Sequence, residues 1–572
     1  MGKGLVVQAP AVIVSKKDSK QQFQVDIRGG SPSQSIGLME GRRASKGRLA
    51  LDKNMSDVLG KRAKRRSIYV GNKMVADQYL QSPLPVRFSG ERGRESYAKI
   101  VENGFKKVSV NPLSTFSIDV DTASYSNIRR FLSRHQMPPK NAVRIEEMVN
   151  YFSYGYAPPE GKRPFAVHTE LVTSPWNKQH KLLKIGLKGR EIAWKDRKNS
   201  NIVFLLDVSG SMRSANKLPL VKQGIKLLVD KLGKKDHVAI VVYAGASGLV
   251  LPSTSADQKE EILAAIDRLQ SGGSTNGGAG IQLAYKTAQQ NFIKGGINRV
   301  ILATDGDFNV GTTNQQELIK LIKEKAKSNV FLTVLGFGSG NYQDDRMEAI
   351  ANKGNGNYAY IDSYREAKKV LVEQAGGTLI TIAKDVKIQV EFNPAKVAGY
   401  RLLGYENRML KKEDFNNDKK DAGEIGAGHT VTALYEIVPA GIAMPSPSVD
   451  TLKYQKVKAK PTPTAVKSGG LKNASKEWLT VKLRYKEPTS KKSTKFSIAL
   501  AGEAKSFPSA STDMKFAASV AAFGMLLRES QYAENIDYAA IKEMALEGKG
   551  EDGKGYRAEF IRLVERVIKL KE

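Results

Sequence analysis

Between about residues 200 and 377 the sequence alternates short apolar runs with amphipathic stretches, and this alternation limits the fold more than any other feature. Apolar runs of this length, rich in Val and Ile, are typical of parallel strands buried on both faces. The stretches between them predict helices that cover the two faces of one sheet. The predicted strands are Ile202–Leu206, Val238–Tyr243, Val300–Thr304, Val330–Gly336 and Tyr358–Ile361, with an antiparallel edge strand near Leu249–Leu251. We therefore expect an α/β domain with a doubly wound, mostly parallel sheet.

On both sides of this domain apolar residues recur with a period of two, which is typical of antiparallel strands. The segments with this spacing are Leu183 to Leu187 before the domain, and Val386 to Phe392, Val431 to Ile437, Leu479 to Tyr485 and Phe496 to Leu500 after it. Strands on both sides predict one β-sandwich into which the α/β domain is inserted. At the end of the chain, Phe560, Leu563 and Val567 have helical spacing, which predicts a helical C-terminal segment.

These patterns divide the chain into four regions. Residues 1–95 are rich in Lys, Arg, Ser and Gly with weak periodicity, and we expect a largely disordered basic region there. Residues 96–199 should contain helices and β-strands, residues 200–377 the α/β domain, and residues 378–572 the sandwich strands and the C-terminal helices. A polar loop at about residues 445–476 is expected to be mobile.

The chain is strongly basic. It carries 91 Lys and Arg residues against 58 Asp and Glu residues, a formal net charge of +33. Such a charge favours contact with nucleic acid, an anionic surface or an acidic partner. The positive residues are spread along the whole chain, however, and no aromatic and basic recognition motif accompanies them. Nucleic-acid binding is therefore disfavoured, whereas the dense run Lys61–Arg66 leaves contact between the N-terminal region and an anionic surface open.

The sequence contains no cysteine, which excludes disulfides, thiolate zinc sites and a lipid-anchored cysteine in the chain as given. No segment reaches the roughly 18 consecutive apolar residues that a membrane-spanning helix needs. The start of the sequence also lacks the apolar region of a signal peptide. The composition therefore predicts neither a transmembrane segment nor a lipoprotein signal in this chain.

Three short oxygen-bearing side chains, Asp207, Ser209 and Ser211, follow the first predicted strand as D-x-S-x-S. They should lie at the carboxyl end of a central strand, which is the edge where open α/β sheets bind ligands. Carboxylate and hydroxyl oxygens suit hard cations such as Mg²⁺, Mn²⁺ or Ca²⁺ better than zinc or copper. The alternative interpretation makes Asp207 a helix N-cap and the two serines ordinary turn residues.

Two later segments add ligands of the same kind. Thr275 lies in the glycine-rich segment Gly272–Gly278, and Asp305 follows the third predicted strand. The position of Thr275 could also be taken by Ser274 or Thr254, and Asp305 could be another N-cap. No G-x-G-x-x-G follows the first strand and no G-x-x-x-x-G-K-[ST] occurs there, so the loops do not match the common nucleotide-binding motifs.

Asp119 and Asp121 form a separate D-x-D pair before a predicted helix. Such a pair could bind a metal. The favoured interpretation is that Asp121 or Thr122 caps the helix and that Asp119 ends a strand.

The D-x-S-x-S loop, the loop threonine and the strand-end aspartate, in this order, resemble the von Willebrand factor type A (VWA) domain. The resemblance implies a Rossmann-like fold with a metal-ion-dependent adhesion site (MIDAS), and an acidic residue of a partner protein as the outside ligand of the metal. The five MIDAS positions correspond to Asp207, Ser209, Ser211, Thr275 and Asp305. The segments Phe116–Tyr125 and Arg144–Phe152, with a further domain after the VWA domain, resemble a bacterial VWA-protein family. Its members are commonly exported to the cell envelope, which implies that location here.

Together these features predict a divalent-metal-dependent protein-binding module of the adhesion or scaffold kind, with Mg²⁺ as the expected ion and Mn²⁺ or Ca²⁺ as alternatives. Two other classes stay open. One is a metal-dependent hydrolase or phosphatase, since a metal beside an aspartate can activate water. The other is a basic protein that binds nucleic acid or an anionic surface. Catalysis is not expected, because the five histidines are scattered and no H-E-x-x-H or G-x-S-x-G motif accompanies the metal loop.

Overall fold

The structure, a computed structural model, describes residues 11–17, 22–28, 69–70, 73–74, 95–273, 277–306, 315–445, 476–533 and 535–572. Residues 1–91 and 92–572 form two compact units. The first unit contains two antiparallel hairpins, β1 (Ala11–Lys17) with β2 (Gln22–Arg28) and β3 (Tyr69–Val70) with β4 (Lys73–Met74). The expected disorder of residues 1–95 and the expected mobile loop at 445–476 fall mainly on residues outside the described ranges, so both stay predictions.

The second unit begins with four strands and two helices that precede the α/β domain. These are β5 (Lys106–Lys107), β6 (Leu113–Ser117), α1 (Ala123–Ser133), α2 (Ile145–Asn150), β7 (Phe165–Thr173) and β8 (Lys181–Gly189). The predicted capping of α1 by Asp121 or Thr122 is wrong. Thr122 occupies the N-cap position without a side-chain capping hydrogen bond, and the backbone N–H of Ser124 donates to Glu147 Oε2 at 2.8 Å. A carboxylate from α2 thus supplies the acceptor that a local polar residue was expected to provide.

The α/β domain follows with six strands, all in or near the predicted positions. Its elements are β9 (Ser200–Asp207), α3 (Leu218–Val229), β10 (His237–Tyr243), β11 (Ser247–Ser255), α4 (Lys259–Asp267), α5 (Gly277–Gln290), β12 (Ile297–Thr304), α6 (Gln315–Ala326), β13 (Phe331–Phe337), α7 (Asp344–Lys353), β14 (Tyr358–Ile361), α8 (Tyr364–Lys368) and α9 (Ala375–Leu379). The sheet order is β11-β10-β9-β12-β13-β14. All neighbours are parallel except β11, which runs antiparallel to β10. The predicted doubly wound, mostly parallel sheet is confirmed.

Strand β9 lies in the middle of this sheet and is buried along its whole length. Its side chains alternate between two cores, as the period of two requires. Phe204 and Leu206 pack in one apolar core together with residues of α3. Val203 and Leu205 pack in the other, together with residues of α5. Helices on both faces thus hold the central strand, and with it the loop that follows it, in a fixed position.

The elements after the α/β domain complete a β-sandwich and a helical segment. They are β15 (Thr381–Phe392), β16 (Val397–Leu403), β17 (Met409–Leu410), β18 (Gly423–Gly426), β19 (Thr430–Pro439), β20 (Glu477–Lys486), β21 (Ser493–Ala501), α10 (Thr512–Arg528), α11 (Tyr538–Glu547) and α12 (Tyr556–Lys571). One sheet has the order β17-β6-β15-β20-β21 with β18 on β15, and the other has the order β5-β16-β19-β8-β7. Each sheet combines strands from before and after the α/β domain, which confirms the predicted insertion.

Aromatic side chains from the two sheets meet inside the sandwich. Phe392 of β15 stacks on Tyr400 of β16, with ring centroids 4.1 Å apart. Phe116 of β6 contacts Tyr435 of β19 edge to face at 6.3 Å. Helices α10 to α12 pack on α1 and α2 in a separate apolar core. In the described part of the chain, no helix combines the length and the apolar character that crossing a bilayer requires.

Glu146 of α2 is buried beside a second carboxylate, and its Oε2 atom has no hydrogen-bond partner among the described residues. Burial, with the negative charge of Glu406, raises the pKa of Glu146 to about 7, from 4.5. A folded-state pKa above the unfolded value contributes stability below pH 4.5, and this contribution is lost as the pH rises through 7. Glu146→Gln removes the ionisation and keeps the shape of the side chain.

As the pH rises from 5 to 8, wild type should lose about 2–3 kcal/mol of unfolding free energy that Glu146→Gln does not lose. The stability difference between the two proteins should therefore grow by that amount in favour of Glu146→Gln. Urea unfolding at the two pH values measures this difference. Glu160→Gln, in an exposed loop, is the matched control and should follow wild type. Parallel pH profiles for wild type and Glu146→Gln would contradict the expectation.

Candidate functional site

The candidate site lies at the carboxyl ends of β9 and β12. When its six strands are numbered by their order along the chain, the sheet runs 3-2-1-4-5-6, so the order reverses between the first strand, β9, and the fourth, β12. Ligands of open α/β sheets bind in the crevice at such a reversal. Asp207 is the last residue of β9, and Asp305 directly follows β12. The topology therefore brings Asp207, from the D-x-S-x-S loop, and Asp305, from the end of β12, to the same crevice.

Asp207 is fully buried and accepts hydrogen bonds from three residues. The backbone N–H of Ser209 donates to Oδ1 at 2.9 Å, and the hydroxyls of Tyr243 and Thr304 each donate to Oδ2 at 3.1 Å. Burial raises the pKa of Asp207; the hydrogen bonds from Ser209 oppose this shift, and the negative charge of Asp305 adds to it. Two nearby carboxylates in a buried setting make a place where a cation is favoured.

The serine pair stands next to Asp207. The two hydroxyl oxygens, Ser209 Oγ and Ser211 Oγ, are 3.1 Å apart. Ser209 is buried, whereas Ser211 is exposed, so the pair leads from the crevice to the surface. Ser209 precedes the short 3₁₀ helix Gly210–Arg213 without capping it by its side chain. The following α-helix begins at residue 218, so the alternative interpretation of Asp207 as its N-cap is wrong.

The glycine-rich loop comes back to the serine loop. The backbone N–H of Gly210 donates to Gly273 O at 3.0 Å, and that of Gly272 donates to Val208 O at 2.8 Å. Thr275 lies outside the described residues, two positions after Gly273, and so does Ser274. Thr254 pairs with Val238 at the opposite edge of the sheet and is excluded as a substitute.

Asp305 is buried and is surrounded by polar groups from two further loops. The ammonium of Lys217 donates to Asp305 Oδ2 at 2.8 Å, and the side-chain amide of Asn341 donates to the same oxygen at 3.3 Å. Asp305 therefore lies at the site with a cationic partner already in contact. The next described helix, α6, is described from residue 315 on, and residues 307–314 lie outside the described residues, so the alternative of Asp305 as an N-cap stays open.

Four residues that shape the site were not anticipated from the sequence: Lys217, Tyr243, Thr304 and Asn341. Tyr243 and Thr304 end the two strands beside β9, and their positions could have been inferred from parallel register, since Tyr243 pairs with Asp207. Lys217 and Asn341 carry no such signal. Their roles depend on loops whose course is decided by the tertiary fold.

A second group of carboxylates lies away from the site. Asp121, Glu147 and Glu348 are buried, and their oxygens lie within 4.8 Å of one another. Arg144 contacts Glu348 Oε2 at 3.0 Å and Arg408 contacts Asp121 Oδ2 at 3.1 Å. Burial raises the pKa of both Asp121 and Glu147. Guanidinium groups thus compensate these charges, and we interpret the group as part of the junction between α2, α7 and the sandwich.

Fold and site together define a VWA-type α/β domain set within a β-sandwich, and comparison with known proteins agrees. The family model for the von Willebrand factor type A domain matches residues 201–373, that for von Willebrand factor matches residues 91–184, and that described as "Uncharacterized protein YfbK, C-terminal" matches residues 377–570. The chain is 47% identical to Uncharacterized protein YfbK of Escherichia coli (strain K12) over 480 residues, which cover 83% of this chain and 81% of that protein. The chain belongs to the YfbK family of VWA-domain proteins.

More distant similarities are shorter. Inter-alpha-trypsin inhibitor heavy chain H3 of Pongo abelii is 23% identical over 257 residues, which cover 41% of this chain and 29% of that heavy chain. Among solved structures, von Willebrand factor type A from Catenulispora acidiphila is 16% identical, with 68% of this chain and 87% of that chain covered and a TM-score of 0.36. VWA domains often mediate protein–protein interactions and often bind a divalent metal at a MIDAS.

Proposed function

We propose that this protein binds a divalent cation through Asp207, Ser209, Ser211, Thr275 and Asp305 and presents it to an acidic residue of a protein partner. Mg²⁺ is the expected ion, with Mn²⁺ or Ca²⁺ as alternatives. Membership of a VWA family supports the coarser part of the proposal, a protein-binding role. The five ligands and the acidic partner are the finer part.

The observation that carries the proposal is the placement of the serine pair. Two hydroxyl oxygens 3.1 Å apart stand beside a buried aspartate, at the reversal point of the sheet. The donor set contains only hard oxygen, which suits Mg²⁺. Hydroxyl ligands add no negative charge, so a bound cation keeps its attraction for an outside carboxylate. Tyr243, Thr304 and the backbone of Ser209 hold Asp207 in one orientation, as groups behind a ligand do in metal sites.

The glycine-rich loop supports the inclusion of Thr275. Gly273 is hydrogen-bonded to Gly210, inside the D-x-S-x-S segment. Thr275 stands two positions after Gly273 in the sequence, and two residues span at most about 7 Å. The proposal assigns it the third hydroxyl ligand.

Calorimetric titration of Mg²⁺ or Mn²⁺ tests the site. Asp207→Ala is expected to weaken binding by at least about 30-fold, because losing one charged ligand costs roughly 2 kcal/mol or more. Asp257→Ala, in the turn after β11 at the opposite edge of the sheet, is the control and should bind like wild type. Equal heats for wild type and Asp207→Ala would end the proposal.

A pull-down from native extract, with and without EDTA, tests the partner. A protein retained by wild type, lost with EDTA and not retained by Asp207→Ala would support metal-mediated binding. A binding role without catalysis and a place in the cell envelope belong to the same proposal. The region boundaries 1–95, 96–199, 200–377 and 378–572 are proposed as well, and the matched segments 91–184, 201–373 and 377–570 support them.

A further inference from the structure

Lys217 places an ammonium group against one of the proposed metal ligands. The residue stands directly before α3 and is only 6% exposed, which is rare for a lysine. Its Nζ donates to Asp305 Oδ2 at 2.8 Å and to Asn341 Oδ1 at 3.3 Å. The site therefore contains two carboxylates, Asp207 and Asp305, and one fixed positive charge.

The surrounding backbone makes room for this lysine. Gly338, just after β13, has a φ of +81°, and a Cβ atom there would overlap the Lys217 side chain. The neighbouring loop is fixed from outside the α/β domain, because Gly340 N–H donates to Glu95 Oε1 at 2.8 Å and Glu95 pairs with Arg130 at 2.7 Å. The ammonium is thus held in position by packing on its stem and by a braced loop around its tip.

We infer that Lys217 is a resident counter-charge that competes with the divalent cation for Asp305 and sets the metal affinity of the site. This inference rests on the proposed function. With Lys217 in place, the charges of Lys217, Asp207 and Asp305 sum to −1, so a bound divalent cation leaves the site at +1. A partner carboxylate then brings it to zero. Without Lys217 the metal-bound site would already be neutral, and an incoming carboxylate would meet no net attraction.

The inference predicts opposite effects on the two binding steps. Removing one unit charge a few ångströms from a divalent ion should tighten metal binding by about tenfold in a well-screened site. The same change should weaken the binding of a small carboxylate to the metal-loaded site. A side chain that matters only for packing would not move the two affinities in opposite directions.

Calorimetry with Mn²⁺ alone provides the first test, on wild type, Lys217→Met and Lys217→Arg. Lys217→Met is expected to bind about tenfold more tightly, and Lys217→Arg, which keeps the charge, to bind like wild type. Lys222→Met is the matched control and should change neither affinity, because Lys222 is a half-buried lysine of α3 whose ammonium donates to Asp267 O rather than to the site. Paramagnetic relaxation of ¹³C-acetate by the bound Mn²⁺ then reports the carboxylate step, which should weaken in Lys217→Met.

The outcomes distinguish a failure of the proposed metal site from a failure of the counter-charge role of Lys217. If neither wild type nor Lys217→Met binds millimolar Mn²⁺, the proposed site itself is wrong. If both bind with equal affinity, or Lys217→Met binds more weakly, the site stands and the counter-charge role is overturned. Should Lys217→Met fail to fold, ¹⁵N spectra of wild type give the answer. The Lys217 ammonium signal is assigned by its absence from the spectrum of Lys217→Arg. Adding Mg²⁺ to wild type must shift this signal, and an unmoved signal would overturn the inference.

Discussion

Replacing Arg129 by methionine is expected to destabilise the folded chain by about 4 kcal/mol, because it leaves several buried carboxylates without their shared cation. The guanidinium of Arg129, on α1, contacts Asp362 at 2.5 Å, Glu366 at 2.7 Å and Glu559 at 2.9 Å. It also donates to the hydroxyl of Tyr151 at 2.8 Å. The carboxylates come from the end of the α/β domain and from α12. One side chain therefore neutralises charge at the junction of three parts of the fold.

Chemical denaturation, with the midpoint and slope compared between variants, measures the loss. Arg134→Met at the end of the same helix is the control: Arg134 is exposed, so a change within about 0.5 kcal/mol is expected. Adding Glu366→Gln to Arg129→Met should restore part of the stability, since it removes one of the unpaired charges. A loss below about 1 kcal/mol for Arg129→Met would mean that the carboxylates find other compensation.

The α/β sheet could be predicted almost strand by strand, and the reason is physical. Strands buried on both faces must be apolar throughout, so β9, β10, β12, β13 and β14 stand out as short apolar runs. The position of Asp207 and Asp305 at one edge then follows from parallel register alone. The insertion into a sandwich could also be predicted, because half-buried strands on both sides of the domain carry the period-two pattern.

What could not be predicted depends on contacts between distant segments. Lys217 is a lysine like many others in a chain with 91 Lys and Arg residues, and only the fold shows that it meets Asp305. Local sequence preference assigns the cap of α1 to Asp121 or Thr122, whereas Glu147 supplies the acceptor from another helix. Local preference is a weak guide wherever a buried tertiary partner is present.

The last helix of the α/β domain shows the same limit. After β14 the chain forms α8, a π-helical turn at Lys369–Glu373 and then α9, rather than one continuous helix. Lys369, in the π turn, donates to Tyr151 O at 2.7 Å, and the Glu366 side chain is bound to Arg129. These contacts with α1 and α2 locate the irregular turn at the junction, and π turns are frequent at functional positions. Helical periodicity alone carries no sign of them.

Gly426→Ala is expected to cost more than about 3 kcal/mol of unfolding free energy, at the upper end for overpacking, because the clash is with backbone. A Cβ atom at Gly426, the last residue of β18, would overlap the carbonyl group of Gly377. Gly377 belongs to α9, so this contact joins the end of the α/β domain to the sandwich. A clashing side chain could rotate away, but because the clash is with the backbone of Gly377, either β18 or α9 must move. Gly377 and His429 also line the adjoining cavity of about 360 Å³, which the movement would distort.

Thermal and urea unfolding of Gly426→Ala measure the loss, with Gly248→Ala as the matched control. Gly248 also lies in a strand, β11, but a Cβ atom there would meet nothing within 4 Å. The control should stay within about 0.5 kcal/mol of wild type. Hydrogen exchange adds a spatial readout, since loosening should concentrate in α9 and β18 and spare β9 and β12. A Gly426→Ala protein as stable as the control would show that α9 and β18 can separate at little cost, and the α/β domain would then be joined to the sandwich less rigidly than this contact implies.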